Sequence, residues 1–353
     1  MTSSTELYRA NLARTGCYAG EGPKKKPKSV WSHPCDPAFP SPAVSANLVV
    51  CAARYGAIFA VDREKGQLVW SNAVDPETYS SPSIVGDVVF ICCSRGVLAL
   101  DLATGRERWA FKQEATWFRT SPAVVDGRVI VGGGDGRVYA VSAADGSLVW
   151  RSDTLGDWID ASASVDEGVV VVSAARRSGR GQLHGLELAT GGFLWSVPQG
   201  DPSFASHAIA SGLVFSPTGF DNALVARDLK TGQQRWSFDA GANVWSAPAV
   251  ADGRVFFGNV KGTVFAVDAN SGSAVWSFDG KGGGELRGGA VVAGGVLYLG
   301  SRKKLFALDT ARGALLWSLG VKGTPINGGI ASSVVPEGGV VYVAGPDQVQ
   351  AFK

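Results

Sequence analysis

DREKGQLVW, residues 62–70, decides the fold, because the same D-x-x-x-G-x-x-x-W frame returns along the whole chain. It recurs as DLATGRERW ending at Trp109, SAADGSLVW at Trp150, ELATGGFLW at Trp195, DLKTGQQRW at Trp236, DANSGSAVW at Trp276 and DTARGALLW at Trp317. The period is close to forty residues, which marks a repeat architecture rather than a chain of unrelated domains. Trp31, in SVWSHP, lies 39 residues before Trp70 and carries only the downstream half of the frame.

A second pattern interleaves with the first. Strand starts of the SPAV type stand at Ser41-Pro42, Ser81-Pro82 and Ser121-Pro122, then as SASV from Ser162, SHAI from Ser206, Ala247-Pro248, GGAV from Gly288 and ASSV from Ala331. Each leads through a turn such as Asp126-Gly127 or Asp252-Gly253 into an apolar strand, then a third short strand, a T-G or D-G turn and the Trp strand. Asp-Gly supplies the positive φ angles of a tight hairpin. One unit is thus four antiparallel strands, A to D. Such a sheet cannot bury both faces alone, but sheets stacked radially bury each other, with Trp filling the space between them. The last unit, from Ala331 to Lys353, has strands A to C and no D, and the Trp31 segment supplies it. The expected fold is all-β: an eight-bladed β-propeller closed by N- and C-terminal strands that share the last blade. Residues 1–28 form a lead-in segment and 29–353 a single propeller; an open solenoid would leave both ends unsealed.

The 33 Lys and Arg nearly balance the 31 Asp and Glu of the 353 residues, so charge demands neither nucleic acid nor an anionic membrane. The KKKPK run at Lys24–Lys28 is too short to change that and reads as solvated. No apolar run approaches the roughly 20 residues needed to span a bilayer. The N-terminus lacks the basic-then-apolar layout of a secretory signal, and the cysteines, Cys17, Cys35, Cys51, Cys92 and Cys93, are odd in number. The expected compartment is the cytoplasm, with reduced thiols. Adjacent strand residues face opposite ways, so Cys92-Cys93 reads as two buried thiols.

The A-(V/L)-D-x-x-(T/S)-G-x-x-x-W and SPAV-x-DG-x-V blocks resemble the pyrroloquinoline-quinone-like repeat family over essentially the whole chain. The opening RANLARTG-x-Y-x-G-x-G-P, Arg9 to Pro23, is similar to the leader of many bacterial members. The resemblance implies an eight-bladed propeller but not one activity. The family holds quinoprotein alcohol dehydrogenases, the propeller lipoprotein of the outer-membrane assembly machine, and sensor-like domains attached to kinases. Quinoprotein use implies a metal site of acidic and Asn side chains and a vicinal disulfide. This sequence offers no such ligand set, and Cys92-Cys93 sits at the end of a B strand, so no cofactor and no metal are expected.

D–A and B–C loops share one face of a propeller, around the channel mouth, where function usually resides. The D–A loops present Phe39, Tyr79, Trp117 with Phe118, Trp158, Phe204 and Trp245. They imply a pocket that stacks an aromatic or apolar ligand, or else rings that plug the channel. The B–C loops carry Tyr55, Arg95, Arg180, Lys261 and Arg302 at matching places, with Arg119 and Arg287 from the D–A side. That is a basic face for carboxylate or phosphate, or simply solvated charge. His207 replaces Pro in its strand start, and with Asp160 and Tyr79 it forms the candidate acid–base set. The favoured function is a binding propeller that takes a partner protein or a small aromatic or anionic ligand through this face. The alternative is a biosynthetic enzyme acting on such a molecule in the funnel, and a quinone-dependent dehydrogenase ranks below both.

Overall fold

The computed structural model describes residues 7–36, 40–73, 77–94, 96–113, 116–200, 205–218, 221–320, 333–345 and 347–353. Among them the regular structure is entirely β, in eight sheets that form the blades of a propeller. Blade 1 comprises Ala43–Val44, Leu48–Ala53, Ala57–Asp62 and Leu68–Ala73, and blades 2 to 7 repeat this order. Strand A is innermost and D outermost. Strands B and C are almost wholly buried, whereas D buries its Trp between exposed neighbours. The apolar clusters therefore lie between blades, each sheet completing the core of the next.

The repeat frame has a direct physical reading. Asp126 and Gly127, at φ 47° and 70°, make the A–B turn of blade 3. In the C–D turn of blade 1, Asp62 Oδ1 accepts from the amides of Glu64 and Lys65, at 3.0 and 2.7 Å, as Asx turns do. Gly66 follows at φ 67°, and a Cβ there would lie 2.6 Å from the Trp31 ring. The glycine is thus required twice, by the turn and by the indole of the neighbouring blade. Repeat tryptophans also donate the indole N–H to a carbonyl of the next blade: Trp70 to Leu102, Trp150 to Leu188 and Trp236 to Ala269, at 2.9 to 3.0 Å.

Closure follows the sequence expectation. Ser29–Pro34 pairs antiparallel with Gln348–Phe352, Trp31 standing opposite Ala351. Lys28 and Lys353 exchange backbone hydrogen bonds at 2.7 and 2.8 Å. Trp31 donates to the Arg63 carbonyl of blade 1 at 2.9 Å. Near the axis the strand-start serines link neighbouring blades. The amides of Ser333, Ser41, Ser81 and Ser121 donate to the hydroxyls of Ser41, Ser81, Ser121 and Ser162. One seam needs a substitute, because blade 8 is split between the chain ends and has no C–D turn. Trp317 of blade 7 donates instead to the Pro23 carbonyl at 2.9 Å. The N-terminal segment is therefore a working part of the propeller, while Lys24, Lys25, Lys26 and Lys28 of its basic run are exposed, as expected of a solvated run.

Candidate functional site: a blind funnel on the propeller axis

The leader closes one end of the channel. Residues Arg9, Ala10 and Arg14 adopt φ of 57°, 74° and 54°, winding the chain inside the ring. The carbonyls of Leu12, Ala13, Thr15 and Gly16 accept from the amides of Val165, Ile209, Val250 and Val292 in blades 4 to 7, each at 2.8 Å. Strand A of a blade has an unpaired inner edge, and the leader satisfies it one blade at a time. Cys17–Tyr18 then pairs in parallel with Val291–Ala293, making blade 7 five-stranded.

Two arginines anchor the leader, and both are fully buried. Arg14 donates to the carbonyls of Ala163, Ser121 and Tyr8, at 2.7, 2.9 and 3.0 Å. Arg9 donates to Pro248 and Ala290 carbonyls, the Arg14 carbonyl and the Ser333 hydroxyl. Among the described residues their partners are carbonyl and hydroxyl oxygens rather than carboxylates. Burial pulls the Arg14 pKa down to about 10, opposed by Tyr8.

Above the leader lies a cavity of about 300 Å³. Tyr8 closes it on the leader side, and the Arg14 guanidinium sits 4.7 Å from the Tyr8 ring centroid. Ser41, Ser81, Ser121, Ser162, Ser206 and Ser333 line the wall, and Tyr79, Arg119, Asp160, Trp245 and Arg287 the mouth. The cations lie on the aromatic faces: Arg119 at 4.9 Å from Tyr79 and 4.5 Å from Trp117, and Arg287 at 4.8 Å from Trp245. Arg54 covers Tyr79 at 5.6 Å. Asp160 is the carboxylate in the lining, and its Oδ1 is buried without a hydrogen-bond partner. Burial pushes its pKa up, opposed by the charge of Arg119 and a hydrogen bond from Trp158. The D–A and B–C loops do share this face: Trp117 pairs with Gly134 and Trp158 with Ala175.

Of the aromatic loops expected to ring the mouth, Tyr79 and Trp245 line the cavity. Phe118 does not, because its bridge to Gly133 turns the ring inward, against Phe111 and Tyr139. Trp117 and Trp158 act at one remove, over Arg119 and beside Asp160. Phe39, Arg95 and Phe204 lie outside the described residues. The expected basic rim is thinner than its sequence. Arg180 and Arg302 are exposed outside the cavity lining, and Lys261 is turned back onto the Gly241 carbonyl. The two arginines at the mouth have local counter-charges, Arg119 with Glu77 at 3.7 Å and Arg287 with Glu285 at 2.8 Å.

The acid–base set does not converge. Asp160 and Tyr79 line the cavity, but His207 is 0% exposed and absent from its lining. Its Nε2 meets Ser173 Oγ at 2.6 Å, and that hydroxyl donates to Gln199 Oε1 at 2.6 Å. The strand-start position puts its carbonyl where Pro122 has one, accepting from Ser164 as Pro122 does from Ser83, and sends the ring between blades 4 and 5. Tyr8, Arg9 and Arg14 are the residues that the sequence left unassigned. Their signal was the R-A-N-L-A-R-T-G leader, visible as a motif without a place.

Asp160 is the one carboxylate among the described residues that line the funnel, so those residues do not form the acidic ligand set of a quinone–metal centre. Among the described residues no three His, Cys, Asp or Glu side chains converge as metal ligands. Cys92 and Cys93 are buried, Cys92 in the apolar layer toward blade 3 and Cys93 in the layer toward blade 1. They are back to back in one strand, away from the cavity.

A family model described as outer membrane protein assembly factor BamB matches residues 24–132, 94–206 and 179–352. The protein of that name from Yersinia pestis is 27% identical over 257 residues, covering 65% of this chain and 61% of the relative's length. BamB from Moraxella catarrhalis superposes with a TM-score of 0.74 at 18% identity, covering 93% of this chain and 99% of that one. The quinohemoprotein alcohol dehydrogenase from Comamonas testosteroni gives 0.80 at 14% identity, covering 99% of this chain and 80% of that one. At such identities the two structures share the fold.

Proposed function

The chain belongs to the PQQ-like repeat family described as outer membrane protein assembly factor BamB, and from that membership we propose that it is a binding propeller which seats a partner protein on its funnel face. The observation that carries this reading is the blind, serine-walled cavity whose mouth is built from Arg119 and Arg287 laid over Tyr79 and Trp245. A cavity of about 300 Å³ suits one side chain or chain terminus of a partner rather than a large cofactor. Aromatic and Arg side chains are the groups that dominate protein interfaces, and flat guanidinium forks suit a carboxylate. Asp160, with a spare buried oxygen, takes a donor from the same segment. The names of the relatives support a partner protein, since BamB is named for assembly.

The test is capture by the immobilised protein against the triple variant Arg119→Ala, Arg287→Ala, Trp245→Ala. Each such contact is worth on the order of 1–2 kcal/mol, so loss of all three lowers partner affinity by at least about a hundredfold. The melting temperature should stay within a few degrees of the parent, because both arginines are exposed. Arg302→Ala, outside the cavity, leaves capture unchanged. An identical set of captured partners with identical affinities in the triple variant removes the funnel from the function.

A further inference from the structure

One position per blade, at the start of strand A, faces the axis. Blades 8 and 1 to 5 place a serine there, whereas blades 6 and 7 place Ala247 and Gly289, and all eight positions line the cavity. The serines are between 2% and 6% exposed, so bulk water does not serve them. The hydroxyl oxygens of Ser41, Ser81, Ser121 and Ser162 each accept an amide of the preceding blade, at 2.8 to 2.9 Å. Among the described residues their own protons go to no acceptor. Buried donors are normally satisfied, and these have only the cavity in which to find an oxygen.

The two blades without a serine leave room for a cation. A Cβ at Gly289 would collide with Arg9 Nη1, so the guanidinium takes the space that a side chain there would fill. From that place Arg9 reaches the carbonyls of Pro248 and Ala290 and, at 3.2 Å, the Ser333 hydroxyl. Hydroxyls and guanidinium thus complete one ring around the axis. Arg9 and Arg14 are fully buried, and among the described residues neither has a carboxylate partner. A buried charge is normally paired, so the ring favours an anion over water. Around the funnel Arg9, Arg14, Arg119 and Arg287 outnumber Asp160, Glu77 and Glu285. Asp160, two residues before Ser162, adds one buried oxygen that has no donor. Donors with a single acceptor beside them match the end of a peptide, whose carboxylate and last N–H are joined through one Cα.

We propose that this ring seats the free C-terminal carboxylate of the partner chain, held by the serine hydroxyls and Arg9, with the last amide N–H turned to Asp160. The inference rests on the reading of the funnel as a partner site, and it adds what enters and which end goes first. The carboxylate supplies the oxygens that the hydroxyl protons lack, and charge-assisted bonds of this kind are the stronger ones. The side-chain carboxylate of an Asp or Glu has no N–H so close to its oxygens, and would leave Asp160 unserved.

The test uses the full chain and three probes: the tripeptide Ala-Ala-Phe, its C-terminal amide, and a glutamate blocked at both ends, whose carboxylate is on the side chain. Ala-Ala-Phe should raise the melting temperature saturably, with the other two at least about tenfold weaker in Kd. Ser121→Asp places a carboxylate in the ring. It should abolish the response and melt no lower than the parent, because the hydroxyls then have their acceptor. A ring that only holds water would lose stability on gaining a buried charge. Ser81→Ala copies Ala247 of blade 6 and should weaken the tripeptide at least about threefold. No stabilisation by the tripeptide into the millimolar range, an equal response to its amide or to the blocked glutamate, or full binding in Ser121→Asp overturns the proposal. Partner capture that falls in the triple variant at the mouth but not in Ser121→Asp also overturns it and leaves the funnel reading standing. Capture unaffected by either removes both.

Discussion

Arg14→Ala lowers the stability of the propeller by about 3–5 kcal/mol, and Arg14→Met recovers only the smaller part of that loss. The guanidinium is 1% exposed and serves three carbonyls, those of Ala163 in blade 4, Ser121 in blade 3 and Tyr8 in the leader itself. Alanine removes the donors and leaves a hole on the axis. Methionine refills the volume but leaves the same carbonyls without a donor, and each such buried group costs roughly 1–3 kcal/mol. Water admitted from the funnel offsets part of this, hence a total below the sum of three. Calorimetry should show a midpoint lower by on the order of 5 °C or more. Arg106→Ala, on an exposed turn, should stay within about 0.5 kcal/mol of the parent. An unchanged midpoint for Arg14→Ala would mean that the leader is not seated in the channel, and the closed floor of the funnel would go with it.

Acid should destabilise the protein well above the range where its carboxylates titrate. His207 Nε2 must donate to Ser173 Oγ, because that serine gives its own proton to Gln199 Oε1, while Gln199 donates to the Pro217 carbonyl at 3.0 Å. Nδ1 is then the bare side of a neutral ring, buried with no partner. A second proton would stand there with nothing to receive it, and burial accordingly pulls the pKa from 6.5 down to about 4. The unfolded chain takes up this proton below about 6.5 while the folded chain resists it to about 4. Stability is therefore complete above the unfolded value and is lost as pH falls through that window. The loss is about 3 kcal/mol from His207, and His184 adds to it in the same direction. Denaturant unfolding at pH 7 and pH 4.5 measures it. His207→Gln, which keeps a polar partner for Ser173 and cannot titrate, should lose markedly less over the same interval. Equal losses in parent and variant would show that His207 is hydrated or already charged.

These two expectations rest on residues that a reading of the chain alone treats unequally. The blades were legible because their rules are local: Asp62 and Gly66 make a turn within nine residues of Trp70, and Asp126-Gly127 makes a hairpin by itself. Closure was legible for a similar reason, since Trp31 and the strand ending at Phe352 are complementary halves of one unit. The funnel was legible in part. Tyr79, Arg119, Asp160, Trp245 and Arg287 could be named because the repeat register places their loops on the axis. Phe118 and His207 could not be placed, because beside a strand start one peptide rotation decides between the channel and the layer between blades. For Phe118 that choice went to packing against Tyr139, and for His207 to Ser173.

The amino-acid sequence by itself determined the blade, the number of blades, the ring and the face on which variable loops meet, because all of these follow from short-range turn chemistry and a period near forty residues. Only the tertiary structure decided that the leader enters the ring, that Arg9 and Arg14 lie on its axis, and that Pro23 stands in for a missing turn under Trp317. Those facts depend on carbonyls contributed by blades more than a hundred residues away in the chain. Such carbonyls carry no side-chain identity that a sequence can display, and they become a site for an arginine only when the ring has brought them together.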